Sequence, residues 1–206
     1  MYQFKHVISK VFKADLAHIV ESQFLPEDFH CKCRFIHGHT VHIEAFIASN
    51  ALQPNRMVLD YSLLQHFKHF IDIFLDHCLI LPKETKFPYE KLLELYDEFY
   101  EKAFGVDRTW NDYVGKTIVF GYKGKDLAKR MSTVSLFDVE STTAEDMSKF
   151  LRTALAITLQ QTSEYYPDLD FIEDLYVAIN FKETASTNAW SSFKQVKDIL
   201  QEVING

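Results

Sequence analysis

CKCRFIHGHTVHIEAF, residues 31–46, gathers two thiols and two imidazoles within nine residues and then turns apolar. From Thr40 onward the chain alternates. Val41, Ile43, Ala45 and Ile47 fall on one side, and His42, Glu44 and Phe46 on the other. That period of two is the signature of a strand with one face in a core. A second strand precedes it, where residues 4–12 mix apolar, polar and β-branched positions and run on to Ala17 and His18. Behind it, NALQPNR (50–56) is turn chemistry. In YSLLQHFKHFIDIFLDH (61–77), Leu63, Leu64, Phe67, Phe70, Ile71 and Phe74 recur at helical spacing, with Asp60 placed as N-cap.

Further along, PYEKLLELYDEFYEKAFG (88–105) reads as an amphipathic helix stopped by Gly105, and KTIVFGYKGKD (116–126) as a hairpin. Both fall in a stretch, about 82–131, that reads as an insertion on the main architecture. STVSLFDVE (132–140) is a strand. STTAEDMSKFLRTALAITLQQ (141–161) is a helix that Ser141, Thr142 or Thr143 can cap, DLYVAINFKET (174–184) a strand, and SSFKQVKDILQEVI (191–204) a terminal helix. The sum is α+β, with antiparallel strands in pairs and long helices over one face.

The bulk numbers bound the function. The chain has 206 residues, enough for one domain with a real core and short for two. A net charge of −7 with no lysine/arginine run argues against a nucleic-acid surface. No stretch approaches the ~18 apolar residues of a membrane helix. Cys31, Cys33 and Cys78 cannot all pair within one chain, and the N-terminus has no apolar signal segment, so the expected compartment is a reducing cytoplasm. Aromatics at 15% call for a packed interior or a sizeable subunit interface.

His37 and His39 enter a strand separated by one residue, so both side chains point the same way and both can reach one ion. Gly38 between them carries no side chain to obstruct a neighbouring element. A third ligand must come from elsewhere, and His18 at the end of the first strand is the candidate. Two metal sites can be drawn. In the first, Cys31, Cys33, His37 and His39 close a structural tetrahedron; in the second, His18, His37 and His39 hold zinc with one position open and a thiolate nearby as base.

ADLAH (14–18), C-x-x-x-HGH (33–39), VLDY (58–61), LDH (75–77), TTAE (142–145) and FKETASTNAW (181–190) occur here in one order. In that order the chain resembles the 6-pyruvoyltetrahydropterin synthase family, including its 6-carboxytetrahydropterin synthase branch, over roughly residues 4–81 and 132–190. The resemblance implies a tunnelling fold (T-fold), a four-stranded antiparallel sheet with helices on one face, here in a single domain over 1–206 with an inserted, mostly helical segment. It implies trimers, commonly stacked into hexamers. By the same resemblance His18, His37 and His39 are zinc ligands, Cys33 is the catalytic cysteine, and Asp76 with His77 is the dyad that works with it. Glu183 would anchor a pterin and Thr143 would line its pocket. The implied substrate is 7,8-dihydroneopterin triphosphate. The implied product is 6-carboxy-5,6,7,8-tetrahydropterin, a precursor of 7-deazapurines such as queuosine. The cysteine four before HGH, Cys33, marks the carboxy branch; Cys31, six before, is the spacing of the pyruvoyl-forming branch. A non-catalytic zinc or pterin-binding module is the third reading.

Overall fold

Strand pairing is most extensive where the alternation is cleanest. In the computed structural model, which describes residues 4–20, 32–86, 88, 91, 117–131 and 133–206, β1 (His6–His18) and β2 (His37–Ser49) pair antiparallel along their whole length, from His6 opposite Ser49 to His18 opposite His37. β3 (Cys78–Pro82) lies parallel to β1 and to β6 (Val134–Phe137). β4 (Thr117–Tyr122) and β5 (Lys125–Met131) form a hairpin that adds onto β6. β7 (Tyr176–Lys182) pairs with β2, and β8 (Asn188–Trp190) and β9 (Lys194–Gln195) both pair with β7. The order is β4-β5-β6-β3-β1-β2-β7-β8. The expected α+β T-fold is present, but among the described residues its sheet has nine strands rather than four, and β3 makes it mixed rather than wholly antiparallel. A parallel strand covered on both sides reads as an unbroken apolar run, and CLILP has no alternation to announce it.

Among the described residues three helices cover one face. A 3₁₀ turn (Tyr61–Leu64), capped by the Asp60 carboxylate accepting from the Ser62 N–H at 2.8 Å, leads into α1 (Gln65–Phe74). α2 (Ala144–Tyr165) starts at Thr143, whose hydroxyl accepts from the Asp146 N–H at 3.4 Å, with Glu145 and Asp146 in the first turn. Such a cap contributes about 1 kcal/mol, and acids there suit the helix dipole. α3 is Val196–Asn205.

Val41, Ile43, Ala45 and Ile47 are fully buried against these helices, together with Phe12, Ala14 and Leu16 of β1 and Val177, Ile179 and Phe181 of β7. The plentiful aromatics pack here: the Phe70 ring lies 4.5 Å from Phe120, and Phe137 stacks on Phe150 at 4.6 Å. Among the described residues no helix packs on the opposite sheet face, and Val7 and Val11 are half exposed on it.

The expected hairpin is present in the described part of the insertion. It turns at Lys123 and Gly124, both at positive φ (46° and 83°), the backbone that two-residue hairpins favour. Phe120, Tyr122 and Ala128 reach the main core, so this part of the insertion belongs to the sheet. The helix expected over 88–105 lies outside the described residues. Among the described residues no helix is long and apolar enough to cross a membrane.

Candidate active site

The apolar rows of β1 and β2 end in imidazoles. Even-numbered residues of β1 and odd-numbered residues of β2 face the helices. His18 therefore continues the row Phe12, Ala14, Leu16, and His37 and His39 begin the row that Val41 continues. His18 stands opposite His37 in register, and His39 opposite Leu16. The ring centroids are 4.5 Å (His18–His37), 5.4 Å (His18–His39) and 5.0 Å (His37–His39) apart. One ring nitrogen from each lies within 4.8 Å of the others, so the three could hold a metal ion.

Backbone carbonyls select the nitrogens. His18 Nδ1–H donates to the Thr142 carbonyl at 2.8 Å, and His37 Nδ1–H donates to the Phe35 carbonyl at 2.7 Å. Each bond leaves Nε2 with its lone pair free, which is how metal-binding histidines are oriented. The Thr142 hydroxyl donates to the Ile19 carbonyl at 2.9 Å, tying the start of α2 to the end of β1. His18 Nε2 is buried and has no hydrogen-bond partner. A buried nitrogen lone pair left unpaired is costly unless something occupies it. Three neutral imidazoles suit zinc, so the residues present fit the ion that the sequence reading expects.

Burial lowers the His18 pKa from 6.5 to about 4; the Thr142 bond opposes that shift, and His37 and His39 reinforce it. In the metal-free protein the unfolded chain therefore binds the proton more tightly than the folded one. His18 should cost stability as pH falls through the window from about 6.5 to about 4, by up to about 3 kcal/mol. Urea midpoints of the metal-free protein at pH 7 and pH 4.5 should separate by more than those of His18→Gln; equal separations would contradict this.

Glu183 follows β7 directly and turns its carboxylate into the site. Oε1 lies 3.7 Å from His18 Nε2, with the side chain 22% exposed. Burial raises its pKa, and attraction to His39 and then His37 partly offsets the rise. Thr143 sits beside this site, next to the Thr142 that holds His18, and spends its hydroxyl on capping α2.

Cys33 lies in a 3₁₀ turn (Lys32–Arg34), is half-buried and forms no disulfide among the described residues. Its carbonyl accepts from the Val20 N–H at 2.9 Å, which ties the turn to the end of β1. Its sulfur is not among the converging ligand atoms of the described residues, as a closed cysteine–histidine tetrahedron would require. Cys31 lies outside the described residues.

Asp76 and His77 join a different group. Asp76 Oδ1 accepts from the Asp15 N–H at 2.9 Å, His77 N–H donates to the Asp15 carbonyl at 2.6 Å, and the Thr40 hydroxyl donates to the Asp15 carboxylate at 2.6 Å. His77 Nε2 is 3.6 Å from Asp76 Oδ2 and the ring is largely exposed. His77 has φ of 57°, a left-handed backbone unusual for a residue other than glycine. Asp15 and Thr40 belong to the uncovered-face rows of β1 and β2, and among the described residues no ligand group joins the dyad to the three histidines. A cleft of about 690 Å³ opens beside the dyad, lined by Asp15, Ala17, His39, Thr40, His77 and Leu79 among others, so that His39 and His77 border the same space. Sequence reasoning missed Asp15, which the strand's parity places opposite Thr40. It also missed the Thr142 carbonyl, for which a side-chain motif carries no signal.

A mixed sheet backed by helices carries three inward imidazoles where two paired strands meet, an arrangement that could hold a metal ion. The family model for 6-pyruvoyl tetrahydropterin synthase matches residues 7–175. The chain belongs to that family and is a lyase-type enzyme of the pterin-synthase class. It is 26% identical over 151 residues to a putative 6-carboxy-5,6,7,8-tetrahydropterin synthase of Methanocaldococcus jannaschii, covering 73% of this chain and 77% of the relative. Over 56 residues it is 41% identical to the 6-carboxy-5,6,7,8-tetrahydropterin synthase of Rickettsia typhi, covering 27% of this chain and 41% of the relative. The solved 6-pyruvoyl tetrahydropterin synthase of Plasmodium falciparum superposes with a TM-score of 0.54 at 13% identity, covering 94% of this chain and 99% of that one.

Proposed function

We propose that the protein is a zinc-dependent 6-carboxy-5,6,7,8-tetrahydropterin synthase. It would convert 7,8-dihydroneopterin triphosphate and water to the carboxylated tetrahydropterin, triphosphate and acetaldehyde. The observation that carries this reading is the site itself: three imidazoles converge, and a cysteine at the spacing of the carboxy branch stands outside their ligand set. The naming of the Methanocaldococcus and Rickettsia relatives supports the same branch.

His18, His37 and His39 would hold zinc. When bound, zinc supplies Lewis acidity toward an oxygen of the substrate side chain. Cys33, as thiolate, takes a proton from the carbon beside that oxygen; cationic groups near a thiol lower its pKa from the usual ~8.5. His77, oriented by Asp76, carries protons on the opposite side of the substrate. Glu183 accepts paired hydrogen bonds from the amino and ring N–H groups of the pterin, a charge-assisted fork with strong geometric preference. Thr143 lines the pterin pocket.

Within one chain the dyad belongs with Asp15 rather than with the imidazoles, so a complete site calls for a second copy to bring its Asp76 and His77 to this one's Cys33. A homo-oligomer, a trimer or a stacked hexamer, would also cover Val7, Val11 and Trp190, which are about half exposed. The product would serve 7-deazapurine (queuosine) synthesis in the cytoplasm.

Product analysis of the zinc-loaded protein with dihydroneopterin triphosphate tests the assignment. Acetaldehyde with a carboxylated pterin is the expected result. A pyruvoyl pterin would move the chain to the other branch, with Cys31 as its base, and absence of turnover would leave a binding module.

A further inference from the structure

We propose that Glu183 is a fourth ligand to the metal in the substrate-free protein, and that an arriving pterin draws it away. The inference rests on the zinc-site reading above and deepens it, since the same carboxylate would serve the ion and the pterin in turn.

The geometry is that of a shared cation. His18 Nε2 carries a lone pair, because Nδ1–H is committed to the Thr142 carbonyl. It is buried without a hydrogen-bond partner, and Glu183 Oε1, at 3.7 Å, is beyond hydrogen-bond range. The contact is therefore not a hydrogen-bonded imidazolium–carboxylate pair. A lone pair facing a carboxylate, beside two further imidazoles, is repulsive unless positive charge sits between them. Two ligands on a tetrahedral zinc with bonds of ~2.0–2.1 Å lie roughly 3.3 Å apart, close to the 3.7 Å between Oε1 and His18 Nε2. Glu183 stands outside the converging set of His18, His37 and His39, so its carboxylate must swing inward to join the ion they share.

Among the described residues no other cation pairs with this carboxylate: Glu183 forms an ion pair with neither lysine nor arginine, and its neighbour Lys182 is bound to Glu44 at 2.9 Å. Attraction to His39 and His37 partly offsets the rise in the Glu183 pKa, in keeping with a carboxylate that faces the imidazole cluster through His18. Closing the set as three nitrogens and one oxygen would protect the ion until substrate comes. The incoming pterin offers the carboxylate N–H donors in exchange and frees the fourth position for the substrate's own oxygen.

Cobalt(II) in place of zinc makes the coordination visible, because visible absorption reports ligand number and type. The test uses the full chain as wild type, Glu183→Gln, and Glu145→Gln, which removes a nearby like charge without touching the imidazoles. Chelator competition should show zinc held about 10–100-fold more weakly in E183Q and within about threefold of wild type in E145Q. The cobalt spectrum should differ between wild type and E183Q. Adding neopterin, which lacks the triphosphate, should change the wild-type spectrum and leave that of E183Q unaltered. Equal zinc affinity and an identical cobalt spectrum in E183Q, with a circular dichroism spectrum that certifies its fold, would overturn the proposal. A wild-type protein that binds no zinc would defeat both this inference and the zinc reading. Loss of zinc affinity in E183Q alongside a pyruvoyl product would uphold the ligand while refuting only the assigned reaction.

Discussion

Cys33→Ala is expected to lower turnover of dihydroneopterin triphosphate by about 10²–10⁴-fold, the usual worth of a positioned general base. Cys31→Ala should stay within about threefold of wild type. The two thiols are separated by one residue, so any general effect of the loop on folding or access touches both variants alike and only the chemistry separates them. Cys33 is suited to the test because its turn is fastened through the backbone: the Val20 N–H reaches the Cys33 carbonyl, a contact that alanine keeps. Zinc content should be unchanged, since the Cys33 sulfur is not among the converging ligand atoms. Cys78 serves as an internal control. It is 2% exposed and burial raises its pKa, so alkylating reagents should spare it while they modify the half-buried Cys33. Full activity in Cys33→Ala with none in Cys31→Ala would assign the protein to the pyruvoyl-forming branch.

His39→Ala is the second large effect: bound zinc should be lost, and turnover with it. Zinc fixed by four protein ligands in peptides is worth about 10–16 kcal/mol, so one ligand carries about 3 kcal/mol and its removal costs about 10²-fold in Kd. His39 is a cleaner choice than His18. It is only partly buried and stands at the mouth of the core rows, whereas His18 is 3% exposed and braces the start of α2 through Thr142. A His18 variant would mix metal loss with damage to packing. Chelator competition and thermal unfolding of His39→Ala measure the two separately. A variant that retains zinc at wild-type affinity would remove His39 from the ligand set.

The parts legible in the sequence were those with a period. Val41, Ile43, Ala45 and Ile47 announce β2 because every second residue meets the helices, and the same parity carries His37 and His39 inward. His18 follows because β1 is long enough for its row to be counted to the end. β3 escaped because a parallel strand with neighbours on both sides has no polar face to mark it. β8 and β9, at three and two residues, are too short to show a pattern. The dyad was legible as residue types, Asp76 and His77, but not in its placement. Its location depends on backbone bonds to Asp15, and those depend on β3 lying parallel to β1. The size of the sheet was hidden for the same reason. A hairpin such as β4–β5 is local, while the strand it joins is decided by distant packing, here Phe120 against Phe70.

The left-handed backbone of His77 sets a limit on improving this fold. Glycine would occupy a φ of 57° at no steric cost, and asparagine at little, whereas an ordinary side chain there sacrifices about 1–2 kcal/mol. A consensus or design procedure that ranks residues by tolerance of the local conformation would target the imidazole together with Arg56 and Lys123, the other described non-glycine residues at positive φ. The resulting chain would be sturdier and, on the role proposed for His77, would lose its proton carrier at that corner.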